Sequence, residues 1–294
     1  MTDQISATTT YPLGSFTVNR LGFGAMQLPG RGVMGPPQDR DQALAVLRRA
    51  VELGVNHIDT AQYYGPDVSN ELIHEALHPY PEDLALVSKV GASRDAKGGW
   101  LPFDQPAELR AGVEDNLRSL EVEQLAAVNL RILDHVPPGY TPPALEDQLA
   151  EMVALRDEGK IAGIGISTAS LEQVQTAISL AGIVCVQNAF SLVDRSDAAV
   201  LELCAAEGIA YVPYFPLGSA FPGMPKVVEQ PAVQAVALRH GVTPAQVGLA
   251  WLLAEFDNIL LIPGTSSLDH LEENLAVAGI ELTSSDIAEL EQAG

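Results

Sequence analysis

The sequence predicts an α/β fold, a (β/α)8 TIM barrel with an N-terminal β-hairpin plug and two extra helices. Three observations predict it. Short apolar runs rich in Val and Ile recur along the chain, as strands buried on both faces require. Amphipathic stretches of helical period separate them. A doubly wound sheet is the main competitor, but "LGFGAMQL" is not followed by the GxGxxG turn into a helix that a dinucleotide-binding sheet places there.

In chain order, "YPLGSFTVNRLGFGAMQL" reads as two short strands around a turn and a third strand running into Met26. The first two are surplus to a barrel and are expected to plug its bottom. Helix "RDQALAVLRRAVELG" then leads to strand "VNHIDT", "SNELIHEAL" to "DLALVSKV", and "PAELRAGVEDNLRSL" to "LAAVNLRI". "ALEDQLAEMVALRDEGK" precedes "IAGIGIST", "SLEQVQTAISLA" precedes "IVCVQNA", and "DRSDAAVLELCAAEG" precedes "IAYVPYFP". The last unit is "TPAQVGLAWLLAEF" before "NILLIPG", followed by "SLDHLEENLAVAG". The extra helices are expected near Val227 to His240 and at Ser284 to Glu291. No linker or composition shift marks a boundary, so residues 1–294 are expected to form one domain.

Composition narrows the function classes. Hydrophobic residues make up 47% and charged residues 18%, which excludes a disordered chain. No apolar run approaches the roughly 20 residues that span a bilayer. "MTDQISATTT" carries neither a basic nor an apolar leader region, so a cytoplasmic location is expected. A formal charge of −22 repels phosphate backbones and anionic lipid, which argues against nucleic-acid and membrane partners. Cys185 and Cys204 lack the spacing of disulfide or metal frameworks, and no metal is expected. Oligomeric state leaves no mark on the sequence.

Active sites of such barrels lie where the C-terminal ends of the strands open upward. Asp59 ends the second strand, Tyr64 follows on the next loop, Lys89 ends the third strand and Arg131 the fourth. Singly, each has an ordinary structural reading as a cap, an ion pair or a packed ring. Together they make chemical sense. A lysine held charged by an aspartate beside a phenol is expected to lower the phenol's pKa from about 10, making it a proton donor or acceptor. "LIPGTSS" runs directly into a helix, and backbone N–H groups of Gly264, Thr265 and Ser266 there suit a phosphate. Residues Gly91 to Gln105 read as a long loop whose Trp100 and Phe103 line a substrate pocket, with Tyr63.

These runs resemble the aldo-keto reductase family. "DTAQYYG" is similar to its Asp and Tyr motif, "SKVG" to its lysine, "GIST" and "VQNAF" to its nicotinamide-contacting strands, "VPYFPLGS" to its cofactor-covering loop and "IPGTSSLDHLEENLA" to its adenosine phosphate motif. The resemblance covers about Tyr11 to Ala276 in order. It implies NADPH as cofactor, with NADH as the alternative, and a small-molecule carbonyl substrate. It implies a catalytic tetrad of Asp59, Tyr64, Lys89 and a fourth residue that is usually histidine. Arg131 occupies that position, and His135, four residues later, is its rival. It places Gly24, Ala25 and Met26 at the cofactor, Thr168 and Gln187 at the nicotinamide amide, and Tyr214 on its ring. Phe215, Leu217 and Ser219 follow along the pyrophosphate, and Thr265, Ser266, His270, Glu273 and Asn274 surround the adenosine phosphate. Ser267 and His270 stand where the family commonly supplies Lys or Arg, so a weak preference for NADPH over NADH is expected. "GAMQL", "GVNHIDT" and "VNLR" resemble a branch acting on pyridoxal. The alternative function is a cofactor-binding sensor on the same barrel without turnover.

Overall fold

The computed structural model describes residues 9–133, 136–218 and 224–292. An antiparallel hairpin of β1 (Thr10–Leu13) and β2 (Phe16–Asn19) comes first. The wall then follows as β3 (Phe23–Gly24), β4 (His57–Asp59), β5 (Ala85–Arg94) with its side partner β6 (Trp100–Phe103), β7 (Ala127–Arg131), β8 (Ile164–Ser167), β9 (Cys185–Gln187) and β10 (Ala210–Tyr211). Apart from β6, neighbours along this path pair in parallel. Residues 259–261 close the cylinder, since Ile259 bridges Tyr211 and Leu261 bridges Leu21. The eighth stave is thus held by single bridges where a full strand was expected. The third expected strand likewise stops at Gly24, and Ala25–Gln27 turn into a 3-10 helix.

Outside the wall lie α1 (Arg40–Glu52), α2 (Val68–Leu77), α3 (Pro106–Leu120), α4 (Leu145–Asp157), α5 (Leu171–Ala181), α6 (Ala198–Glu207), α7 (Pro231–His240), α8 (Pro244–Glu255), α9 (Leu268–Leu275) and α10 (Ser284–Glu291). Local chemistry sets their starts. Reciprocal capping boxes open α3, α5, α8 and α10, from Gln105, Ser170, Thr243 and Thr283 respectively. The extra helices are α7 and α10, and Val227–Glu229 form a separate 3-10 turn before α7. No helix among the described residues is long and apolar enough to cross a membrane.

The main core lies between wall and helices, and a smaller one fills the bottom of the cylinder. There Leu13 and Val18 from the hairpin pack against Ala85, Ala127, Cys185, Ala210 and Leu260, so the hairpin does plug the lower end. Both cysteines are buried and unpaired. Burial pushes each thiol up to about 12, so both stay protonated, and Cys185 Sγ donates to Asn129 Oδ1 at 3.4 Å.

Residues Gly91 to Gln105 correct the loop reading. β5 continues past the rim and folds back as β6, with Gly91 opposite Phe103 and Arg94 opposite Trp100. Gly91 makes the exit possible: its φ is +104°, and a Cβ there would meet the Arg131 carbonyl oxygen at 2.5 Å. Gly98, Gly99 and Pro102 break the alternation that marks a strand, which hid the hairpin in the sequence.

Arg20 ties the closing seam. Buried at 2% exposure, it donates from Nε to the Ile259 carbonyl at 2.9 Å and from Nη2 to those of Leu253 and Phe256 at 2.9 and 2.6 Å. Arg20→Met is therefore expected to cost about 3–5 kcal/mol in urea unfolding, because it orphans buried carbonyls together. Asp257→Asn should shift stability by no more than about 1 kcal/mol, since that carboxylate is exposed and 3.9 Å from Arg20.

Candidate active site at the upper rim

Strand alternation selects what enters the barrel. Asp59, at the end of β4, and Lys89, in β5 before it passes the rim, sit at 2% and 6% exposure. Their neighbours Thr60 and Ser88 are locked to the helices behind by a buried polar chain. Thr60 Oγ1 donates to Asn70 Oδ1 at 2.9 Å, and Asn70 Nδ2 and Ser88 Oγ donate to Asn116 Oδ1 at 2.9 and 2.6 Å. Lys89 Nζ is ion-paired with Asp59 Oδ1 and donates to the Thr60 carbonyl at 3.0 Å. Gln187 Nε2, from β9 across the barrel, donates to Asp59 Oδ2 at 2.9 Å. Both carboxylate oxygens are thereby satisfied, as a buried charge requires.

Tyr64 completes the group. Its ring centroid lies 5.1 Å from Lys89 Nζ, and Tyr63 packs edge-on against it at 5.4 Å. Met26 and Val33 pack against this aromatic pair. Burial raises the Tyr64 hydroxyl's pKa above 10, with Asp59 adding to the rise while Arg131 and Arg94 oppose it. The expected lowering by Lys89 is therefore corrected. The ammonium is turned to Asp59, and the loss of water around the phenol outweighs the cations.

Arg131 ends β7 at the rim and faces the exposed hairpin residue Trp100, its Cζ 4.6 Å from the ring centroid. Arg94 approaches the same ring at 3.5 Å and donates to the Gly98 carbonyl. Trp100 also packs edge-on against Tyr63 at 5.2 Å, so two of the three expected substrate residues stand together beside Tyr64. Phe103 lies at the hairpin's inner end, opposite Gly91. His135 falls outside the described residues.

The residues expected at a cofactor lie at the end of β3, just past β8, at the end of β9, after β10 and around α9. Gly24 and Gly264 make the closest backbone approach, and a Cβ on Gly264 would meet the Gly24 carbonyl oxygen at 2.3 Å. Ala25 is buried and its carbonyl accepts from Ser69 Oγ at 3.1 Å. Thr168 and Phe215 both adopt left-handed backbone, with φ of 59° and 54°. Such conformations cost about 1–3 kcal/mol each in bulky residues and cluster at functional sites. Asn188 holds the first: it accepts from the Ala169 N–H at 3.0 Å and donates to the Ala169 carbonyl at 2.8 Å and to Asp197 Oδ2 at 2.9 Å. Tyr214 N–H donates to the Asn188 carbonyl at 3.0 Å and its ring packs edge-on against Phe215. Leu217 packs on the main core, whereas Ser219 lies outside the described residues.

At the far end, Thr265 Oγ1 accepts from the Ser267 N–H at 3.0 Å, and Ser267 caps α9 by accepting from the His270 N–H. Ser266 offers its carbonyl to Gln42 Nε2 at 2.5 Å. Glu273 accepts through its carbonyl from Gln246, and Asn274 lies one residue on in the last turn of α9. A nicotinamide dinucleotide fits this donor set, with uncharged Thr168 and Gln187 at one end and a capped helix start at the other. Sequence reasoning did not single out Arg94, Ser167 or Asn188, which the structure sets beside the expected residues. Ser167 was visible as the strand-end neighbour of Thr168, its Oγ 3.4 Å from Thr168 Oγ1.

Residues 20–294 match the profile described as Aldo/keto reductase family. Pyridoxine 4-dehydrogenase of Escherichia coli (strain K12) is 46% identical over 282 residues, covering 96% of this chain and 97% of that protein. An uncharacterized oxidoreductase of Schizosaccharomyces pombe is 38% identical over 285 residues, covering 97% of this chain and 90% of that one. Among solved structures, a thermostable aldo-keto reductase in complex with epalrestat superposes with a TM-score of 0.81 at 28% identity, covering 98% of this chain and 100% of its own. The Klebsiella pneumoniae aldo-keto reductase in complex with NADPH gives 0.79 at 25% identity, covering 97% and 94%. A profile match over most of the length, joined to a barrel of the same shape, makes this chain an oxidoreductase belonging to the aldo/keto reductase family.

Proposed function

We propose that the protein uses NADPH to reduce an aldehyde or ketone reversibly to the alcohol in the cytoplasm, with pyridoxal and pyridoxine as the substrate pair. One observation carries the site assignment: Asp59 of β4, Tyr64 of the loop that follows it and Lys89 of β5 meet in one buried group. The 46% identity to pyridoxine 4-dehydrogenase supports the substrate pair. Two buried unpaired cysteines suit a reducing compartment.

NADPH, when bound, supplies the hydride that adds to the carbonyl carbon. Gly24 to Met26, Thr168, Gln187, Tyr214, Phe215 and Leu217 would hold it along the rim, and Thr265, Ser266, His270, Glu273 and Asn274 would surround its adenosine end. Tyr64 donates its phenolic proton to the carbonyl oxygen, completing the alcohol. Asp59 and Lys89 fix the field beside the ring. Arg131 directs its fixed positive charge at the oxygen as negative charge develops there, a type of preorganised interaction worth about 3–4 kcal/mol. Tyr63 and Trp100 wall the substrate side.

Tyr64→Phe is expected to lower kcat for pyridoxal reduction by about 10²–10⁴-fold while NADPH binding, followed by fluorescence, is retained. Wild-type turnover by this variant would remove Tyr64 as the acid. The raised phenol pKa fixes the sign of the pH response, because reduction uses the protonated form and that form persists as pH rises. The kcat for reduction should therefore show no downward limb from Tyr64 between about pH 7 and 9, whereas alcohol oxidation, which needs the phenolate, should climb with pH. A reduction rate that halves near neutral pH through loss of the Tyr64 proton would contradict the raised pKa. Pyridoxal should also exceed benzaldehyde and butanal in kcat/KM, read as NADPH oxidation.

A further inference from the structure

A second chemical cluster lies outside the barrel wall, in an open cleft between α2 and α3. The run "HEALH", His74 to His78, closes α2 and includes its extended C-cap His78, which brings two imidazoles together at the helix end. Their ring centroids are 4.8 Å apart and tilted by 35°, and Tyr80 packs edge-on against the outer ring at 5.5 Å. Glu121, the left-handed C-cap of α3 with φ 51°, brings a carboxylate to the same place. One ligating atom from each of His74, His78 and Glu121 lies within 4.8 Å of the others.

We propose that His74, His78 and Glu121, which are not among the residues of the reductase centre, form a binding site for a divalent transition-metal ion of the zinc type. The atom pair already closest supports this. His74 Nε2 lies 3.4 Å from Glu121 Oε2 and, though buried, makes no hydrogen bond. Two ligands bound at about 2.0–2.1 Å to a tetrahedral ion stand about 3.3–3.4 Å apart. The exposed His78 supplies a third ligating atom within 4.8 Å of both, leaving a fourth position for water. Two imidazoles and one carboxylate favour Zn²⁺, Ni²⁺ or Cu²⁺ over Mg²⁺ or Ca²⁺. Asp67, Glu71 and Glu75 line the cleft beside Glu121, against Arg40 and Arg118, so its fixed charge favours a cation.

The spacing His-Glu-x-x-His also occurs in zinc hydrolases, where the glutamate serves as general base. Here Glu75 is ion-paired with Arg40. That pairing points to a binding site joining the ends of two helices.

The test titrates tag-free protein with zinc chloride alone by calorimetry, comparing wild type with His74→Gln, His78→Gln and Glu121→Gln. Wild type should bind one equivalent with a micromolar or tighter dissociation constant, and each variant should weaken it by roughly tenfold or more. Cobalt substitution should give visible absorption bands in the wild type that the variants lose. Reductase turnover without zinc should be the same in all four proteins, which also reports that each is folded. His78→Gln alters only an exposed residue beyond the helix end and decides the matter if another variant misfolds. Wild type without saturable binding, or variants that bind zinc as wild type does, would overturn the site.

Discussion

The buried pairing of Lys89 with Asp59 is the constraint on which the rest of the site depends. It joins adjacent strands, and through Gln187 it reaches across the cylinder to β9. Two charges at this depth are tolerated only because every oxygen of Asp59 is met and the ammonium has a second partner in the Thr60 carbonyl. Removing either partner leaves an uncompensated charge, so the pair acts as a unit. It also decides how Tyr64 behaves. With the lysine's charge committed to the carboxylate, the phenol answers mainly to its own burial and keeps its proton.

A strongly acidic protein carries a local reversal of sign at this rim. Arg94 and Arg131 both face the Trp100 ring, and each draws the Tyr64 pKa downward against the larger effect of burial. Neither is interchangeable with an imidazole, which can give up its charge. Under the proposed function, Arg131 thus offers a guanidinium at the place where the family resemblance puts a histidine. The proposed zinc site obeys the opposite logic, with carboxylates outnumbering guanidiniums beside titratable rings.

The fold was legible where burial leaves a pattern. Continuous apolar runs such as "LALVSKV" and helical periods such as "RDQALAVLRRAVEL" need no tertiary information, and the order of elements followed from them. The hairpin of β5 and β6 was not legible, because its glycines and proline mimic a loop and its pairing is set by the close passage of Gly91 over Arg131. At the site, Asp59, Tyr64 and Lys89 stood out because the ends of barrel strands face one opening. Arg94 was hidden by the same misread loop. Asn188 was hidden because its task is to brace the backbone around Thr168. The direction of the Tyr64 shift depends on how much water surrounds the hydroxyl, which residue spacing does not encode. His74 and His78 share a turn, but Glu121 joins them only through helix packing.

Leu13 and Val18 stopper the lower end of the cylinder with hydrocarbon. Under the mechanism proposed, the open rim is then the side from which the phenolate left on Tyr64 after each reduction regains its proton.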